Sequence, residues 1–323
     1  IAWSIYVGWM PGGYGAVRGS VDGWAERYAI YIDVVNINEY IESINQYTAG
    51  AFDGCAMTNM DALTIPAAGG VDSTALIVGD FSNGNDGLVL KGTPDLADIA
   101  GRRVHLVELS VSHYLLARAL ESVGLRERDI TVVNTSDADI VAAFNSPDVT
   151  AGVFWNPQLA EAVAMPDATL AFDSSDIPGE IIDLLVVNTA TLEAHPALGK
   201  ALVGAWYEIM ARMQGDDAEA QGARAAMGQA AGTDRGGYEA QLATTQMFYE
   251  PGEAVAFVND PVLATTMDAV RQFSFRHGLL GDGAPSPDIV GIAFPDGTVL
   301  GDANNVKLRF DASYMKLAAD DEL

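Results

Sequence analysis

FSNGNDGLVLKG, residues 81–92, decides how this chain is divided. It lies between two apolar runs, STALIVGD (73–80) and GLVL (87–90), that both read as buried strands. A tight hairpin needs only a few turn residues. Asn83, Gly84, Asn85, Asp86 and Gly87 together are richer than a turn requires. Either the stretch is a plain hairpin, or it is a polar crossing between two parts of the molecule.

The sequence on either side favours the crossing. Upstream, strand-like runs at 1–8, 30–36 and 52–57 alternate with a helical segment at 39–50 that stops at Gly50. TNMDALTIPAAGG then opens a helix with a Thr/Asn cap and Asp61 in its first turn. After Gly92 the same grammar restarts. TPDLADIAGRRVHLVEL gives a short helix and a strand, and HYLLARALESVG is a helix capped by Ser110 or Ser112. Further strands are expected at 129–134, 149–155 and 181–188, with ATLAFDSS as another. From 191 the chain turns mostly helical, and beyond 280 a Gly-, Pro- and Asp-rich tail holds strand candidates in IVGIAF and VKLRF. Strand–helix alternation points to parallel α/β structure in two similar units. The expected division is 1–90 with 186–280 as one lobe, 91–185 as the second, and 281–323 as an extension packing on the first. Residues 81–90 and 183–190 would be the crossings, with a ligand cleft between the lobes.

Composition agrees. A chain of 323 residues exceeds the size at which one core keeps growing, and 49% hydrophobic residues are ample for packed interiors. No apolar run approaches the roughly 18 residues of a membrane-spanning helix. The net charge of -27 argues against nucleic acid and anionic membranes as partners, because both require Lys/Arg patches. Cys55 stands alone, so no internal disulfide forms. His105, His113, His195 and His277 are too dispersed to suggest a metal site, and no metal or cofactor is expected. The start, IAWSIYVGWM, lacks a basic n-region followed by an h-region and fits a chain whose leader has been removed, although a trimmed chain would look the same.

IYVGWMPGGYG, TNMDAL, FSNGNDGLVLKG, DLADIAGRRVHLVELSVSHYLLARALESVGL, AGVFWNPQ and LLVVNTATLEAHPALGKALVGAWYE follow one another in an order that resembles the substrate-binding proteins of nitrate/taurine-type ABC importers. The likeness covers roughly 1–280 and is nearest to the branch associated with urea or guanidine uptake beside urea-carboxylase-type enzymes. The resemblance implies a two-lobed periplasmic-binding-protein (type II) fold, each lobe a mainly parallel sheet flanked by helices. It also implies a monomer that closes on a small solute and docks on the permease and ATPase subunits of an importer.

Each candidate ligand contact also has a plainer structural role. Trp9 and Tyr14 follow the first strand in a Gly-rich loop and either wall a pocket or staple the core. Asn59 sits at a helix start, where capping alone would also explain it. Asn83, Asn85 and Asp86 lie in the crossing, where turn chemistry competes, while an enclosed Asp86 would be costly unless paired. Glu108 precedes the helix at 112–123 in the place where relatives that take anions present small residues, and it would favour a cation or hydrogen-bond donor; helix capping is its alternative. Ser110, Ser112 and His113 are within reach of the same spot on this reading. Trp155 offers a face for a planar cation. Asp183 and Glu180 border the return crossing, one facing the cleft and the other a cap or solvated. This pattern points to a guanidine- or urea-type solute. Taurine or an alkylsulfonate, or a thiamine-precursor pyrimidine, is the alternative on the same fold, although candidate loops offering only Arg18 and Lys91 weigh against an anion. An enzyme of this fold would use a cysteine-rich motif that Cys55 alone cannot supply, so a binder without chemistry is expected.

Overall fold

The turn residues at 83–85 separate two strands that belong to different sheets. A computed structural model describes residues 1–93, 95–281 and 283–323. Pro94, in the stretch read as a short helix, and Asp282, in the tail, lie outside the described residues. The strands are β1 (Ala2–Trp3), β2 (Val35–Asn36), β3 (Gly54–Thr58), β4 (Ser73–Ser82), β5 (Asp86–Lys91), β6 (Arg103–Leu106), β7 (Thr131–Asn134), β8 (Ala151–Trp155), β9 (Ala168–Asp173), β10 (Ile182–Asn188), β11 (Thr245–Met247), β12 (Gly291–Ala293), β13 (Val299–Leu300) and β14 (Val306–Phe310). The chain divides into a first unit of Ile1–Asp80, Ile182–Leu242 and Met247–Leu323, and a second of Phe81–Ile181 with Ala243–Gln246.

In the first unit the sheet runs β13-β12-β14-β4-β10-β3-β1-β2, and β11 pairs β4 off this path. Parallel pairs join β14 to β4 and join β1 to both β3 and β2, and β10 is inserted antiparallel to β3, with Asp183 opposite Thr58 and Leu185 opposite Ala56. Residues 291–310 thus add three strands to this sheet. Long apolar runs in β4 and β10 are buried on both faces, as inner strands covered by helices require. Helix Pro196–Met213 buries Leu198, Ala201, Leu202, Ala205, Trp206 and Ile209, the spacing of an inward helical stripe.

The first two expected strands are much shorter here. Of 1–8 only Ala2–Trp3 pairs, because the chain turns at Tyr6, whose carbonyl accepts from the N–H groups of Trp9 and Met10. Of 30–36 only Val35–Asn36 pairs.

The second unit has a five-stranded sheet, β7-β6-β8-β5-β9. β6 is parallel to β7 and β8, whereas β5 is antiparallel to β8 and β9. Its core joins Val89, Ile140, Phe144, Phe154, Leu159 and Ala162, with Phe144 and Phe154 edge-to-face at 5.0 Å. Lys91 crosses the Phe144 ring at 4.3 Å and donates to the Phe144 and Ser146 carbonyls. No helix among the described residues is long and apolar enough to cross a membrane.

Candidate functional site

In the first unit, the C-terminal ends of β3 and β4 and the N-terminal end of β10 gather three carboxylates that water barely reaches. Asp61 and Asp80 are fully buried and Asp183 is 2% exposed. A continuous run of contacts joins them. Thr58 caps the helix that follows β3, accepting from the Asp61 N–H, and its hydroxyl donates to Asp61 Oδ2 at 2.8 Å. Tyr40 donates to the same oxygen at 2.6 Å and accepts from the Thr58 N–H. The Tyr40 ring lies 5.4 Å from Trp9, and Trp9 lies 4.9 Å from Tyr6. Beside Tyr6 is Gly8, where a Cβ would fall 2.3 Å from Asp80 Oδ2, so only glycine admits that carboxylate. Asp183 stands opposite Thr58 in the sheet register.

Burial dominates the electrostatics here. It raises the Asp61 carboxyl to about 6, against hydrogen bonds from Tyr40 and Thr58 that lower it. The Tyr40 hydroxyl is pushed well above its ordinary value by burial and by the Asp61 charge. Tyr249 is raised by burial and by Asp80, while Arg224 opposes. Arg224 itself is tied to Glu239 and to the carbonyls of Met213 and Gly215.

Of the residues singled out in this unit, Trp9 and Asp183 belong to this cluster. Asn59 is fully buried, and its Oδ1 accepts from the Ile182 N–H at 3.2 Å, so it ties the helix start to β10. Tyr14 is half-buried within helix Met10–Arg18, with the Arg18 guanidinium 5.5 Å from its ring centre. Asp61, Asp80, Tyr6, Tyr40 and Trp206 were not among the candidates. Asp80 ends the apolar run of β4, and an acid closing a buried strand is the signal that could have found it.

The second unit treats its polar residues differently. Asp86 is 2% exposed, and its Oδ2 accepts from the Ser82 hydroxyl at 2.5 Å. Ser82 and Ser174 share a hydrogen bond at 2.6 Å, and Ser174 Oγ accepts from the N–H groups of Gly84 and Asp86. Gly84 has φ +107°, a conformation L side chains rarely adopt. Asn85 is fully buried, and its Oδ1 accepts from Asn156 Nδ2 at 3.0 Å; its own Nδ2 has no partner. Asn83 donates its N–H to Thr244 O at 3.0 Å. Trp155 is 9% exposed and pairs with Asp86 across β5 and β8, so Asn85, Asp86 and Trp155 lie together.

Glu108, Ser110 and His113 gather around the start of helix Val111–Ser122, apart from that network of bonds. Ser110 is the cap, accepting from the Ser112 N–H and donating to Val107 O at 2.8 Å. His113 Nδ1 accepts from the Leu109 N–H, and Nε2 lies 2.7 Å from Glu127 Oε1. Glu108 is exposed, and its backbone N–H donates to Asn134 Oδ1. Glu180 accepts from Tyr114 and Arg118, a structural ion pair.

A family model described as NMT1/THI5 like matches residues 31–220, more than half of the chain. The taurine-binding periplasmic protein of Escherichia coli (strain K12) is 26% identical over 145 residues, 43% of this chain and 44% of that protein. The chain spans less than half the length of the curated relatives it matches. Among solved structures, the alkanesulfonate-binding protein of Xanthomonas axonopodis pv. citri bound to MOPS superposes with a TM-score of 0.70 at 16% identity, covering 87% of this chain and 93% of that one. The periplasmic nitrate-binding protein of Synechocystis PCC 6803 gives a TM-score of 0.61 at 12% identity, covering 100% and 97%. At such identities the likeness is one of fold alone. The chain therefore belongs to the NMT1/THI5-like family and carries the fold of periplasmic solute-binding proteins.

Proposed function

We propose that this protein is the solute-binding component of an ABC importer, working in the periplasm and passing a small molecule to a membrane permease without chemical change. Family membership together with a fold match over most of the chain supports this reading. The names of the relatives favour taurine or an alkanesulfonate as the solute. A second reading, a guanidine- or urea-type solute, is favoured by one specific observation: Asp61, Asp80 and Asp183 are all at most 2% exposed at one end of the first unit's sheet. Buried carboxylates repel a sulfonate and reward N–H donors through charge-assisted hydrogen bonds of roughly 1.5–3 kcal/mol. Taurine shares part of that chemistry through its ammonium group.

Titration calorimetry with guanidinium, urea, taurine, an alkanesulfonate and an aminopyrimidine separates these readings. Guanidinium or urea binding that drops at least about tenfold in Asp183→Asn, an amount expected for one charged contact, supports the second reading. Tight sulfonate binding that Asp183→Asn leaves unchanged supports the relatives' chemistry instead. If none of the five binds, the importer reading loses its basis.

A further inference from the structure

Wholly within the first unit, a cavity of about 60 Å³ runs beneath the long helix Pro196–Met213. Its floor is a single face of five adjacent strands, β4, β10, β3, β1 and β2. The register fixes that face. Leu185 stands opposite Ala56, and because Ala2 pairs with Cys55, Trp3 is level with Ala56. Ala2 also pairs with Val35, which puts Val34 on the side of Trp3, since alternate residues of a strand share a side. Ile77 completes the row in β4. Four steps between neighbouring strands, at roughly 4.8 Å each, make a row of about 19 Å. The roof is Leu202, Ala205 and Ile209, one face of the helix, with Val21 from helix Ser20–Arg27.

This trough is long and narrow. One water-sized group needs about 10–15 Å³ of such space, so the cavity takes about four to six of them, in single file along such a row. One end is shut, because the Trp206 ring packs on Gly79, where a Cβ would fall 2.9 Å from the ring. The other end reaches β2, the edge strand, where Val34 is half-buried. Leu185 lies in an inner strand, yet it is half-buried while Leu184 and Val186 are at most 1% exposed, so its side chain faces open space.

The lining is almost wholly carbon. Nε1 of Trp9, Nε1 of Trp206 and Oδ2 of Asp183 are buried away from the open space. Water needs two to four polar partners and finds almost none here, whereas an apolar group gains contacts with every wall. A charged or hydrogen-bonding head group finds nothing to hold it.

We propose that this trough binds an unbranched alkyl chain of about six carbons, one for each water-sized position, which enters at the β2 edge and leaves its polar end in water. The site does not depend on which polar solute the protein carries.

The test is calorimetry of the whole chain with the series n-butanol to n-decanol and with cyclohexanol. Affinity is expected to rise about fourfold per methylene up to n-hexanol and then to level off. Cyclohexanol, with the same carbon count in a wider shape, is expected to bind at least about tenfold more weakly than n-hexanol. Ala56→Leu fills the middle of the floor and is expected to weaken n-hexanol at least about tenfold. Leu185→Phe enlarges a half-buried side chain into the same space, carries the same expected loss, and serves where Ala56→Leu does not fold. A flat chain-length series, or no alkanol bound, overturns the trough as a binding site. Cyclohexanol bound as tightly as n-hexanol overturns the single-file chain, and n-hexanol binding unchanged in a folded variant places the chain elsewhere and overturns the assignment. Retention on phosphatidylcholine vesicles without binding of free alkanols puts a lipid surface in place of a free chain and overturns it as well.

Discussion

Asp86 in the second unit and Asp61 in the first are equally hidden from water, yet their surroundings differ. Asp86 sits in a knot of hydroxyls and N–H groups supplied by Ser82, Ser174 and the turn itself. Asp61 receives two hydroxyl donors on one oxygen, and its Oδ1 has no partner. A polar group enclosed by its own neighbours stabilises a fold, whereas one held in apolar and aromatic surroundings remains available to something else. The second unit's polar stretch is held by its own neighbours, whereas Asp61 in the first unit keeps one buried oxygen without a partner.

The largest effect expected from breaking this contrast is in the turn. Asp86→Ala leaves buried hydroxyls and N–H groups without their acceptor and should lower unfolding free energy by about 2–4 kcal/mol in urea melts. An effect below about 1 kcal/mol would mean the knot is not structural.

Asp61 offers a comparable effect that depends on pH. Its carboxyl ordinarily titrates near 3.8 and is raised to about 6 in the folded protein by burial. The folded state therefore holds the proton more tightly than the unfolded chain. This contribution to stability is full below 3.8, falls as pH rises from 3.8 to 6, and is gone above, a difference of about 3 kcal/mol. Asp61→Asn keeps an acceptor for Tyr40 and Thr58 and should flatten the profile between pH 4 and 6. An unchanged slope would place the titration elsewhere.

Gly8→Ala places a methyl 2.3 Å from Asp80 Oδ2 and 2.8 Å from Tyr6, and should cost about 1–3 kcal/mol by overpacking. The smallest effect belongs to Glu108→Gln. That side chain is exposed, so stability should stay within about 0.5 kcal/mol of the parent. A larger loss would give Glu108 a structural role that its surroundings do not indicate.

Much of the helical grammar was legible because hydrophobic spacing and caps are local. Ser110 caps its helix, Gly50 and Gly124 follow helix ends with positive φ, and the long runs of β4 and β10 are inner strands. Short strands were not legible. Nothing in the run of 30–36 distinguishes residues that find a partner from those that pass by, since pairing depends on where β1 happens to lie. Site residues divided the same way. Trp9, Asp86 and Trp155 stand out by type and by their place at strand ends, and the structure buries all three. Trp206 is not singled out, because a Trp on an apolar helix face looks the same whether it packs solidly or lines a cavity.

Composition and periodicity alone determined that this is an acidic α/β chain whose polar stretch at 81–92 interrupts two buried strands, because those properties follow from neighbours within a few residues. Only the tertiary structure decided that β4 and β5 enter different sheets, that Asp61, Asp80 and Asp183 converge from separate parts of the chain, and that the indole N–H groups of Trp9 and Trp206 are buried without a partner. Convergence of that kind is set by sheet order and helix placement, which depend on contacts between residues more than a hundred positions apart.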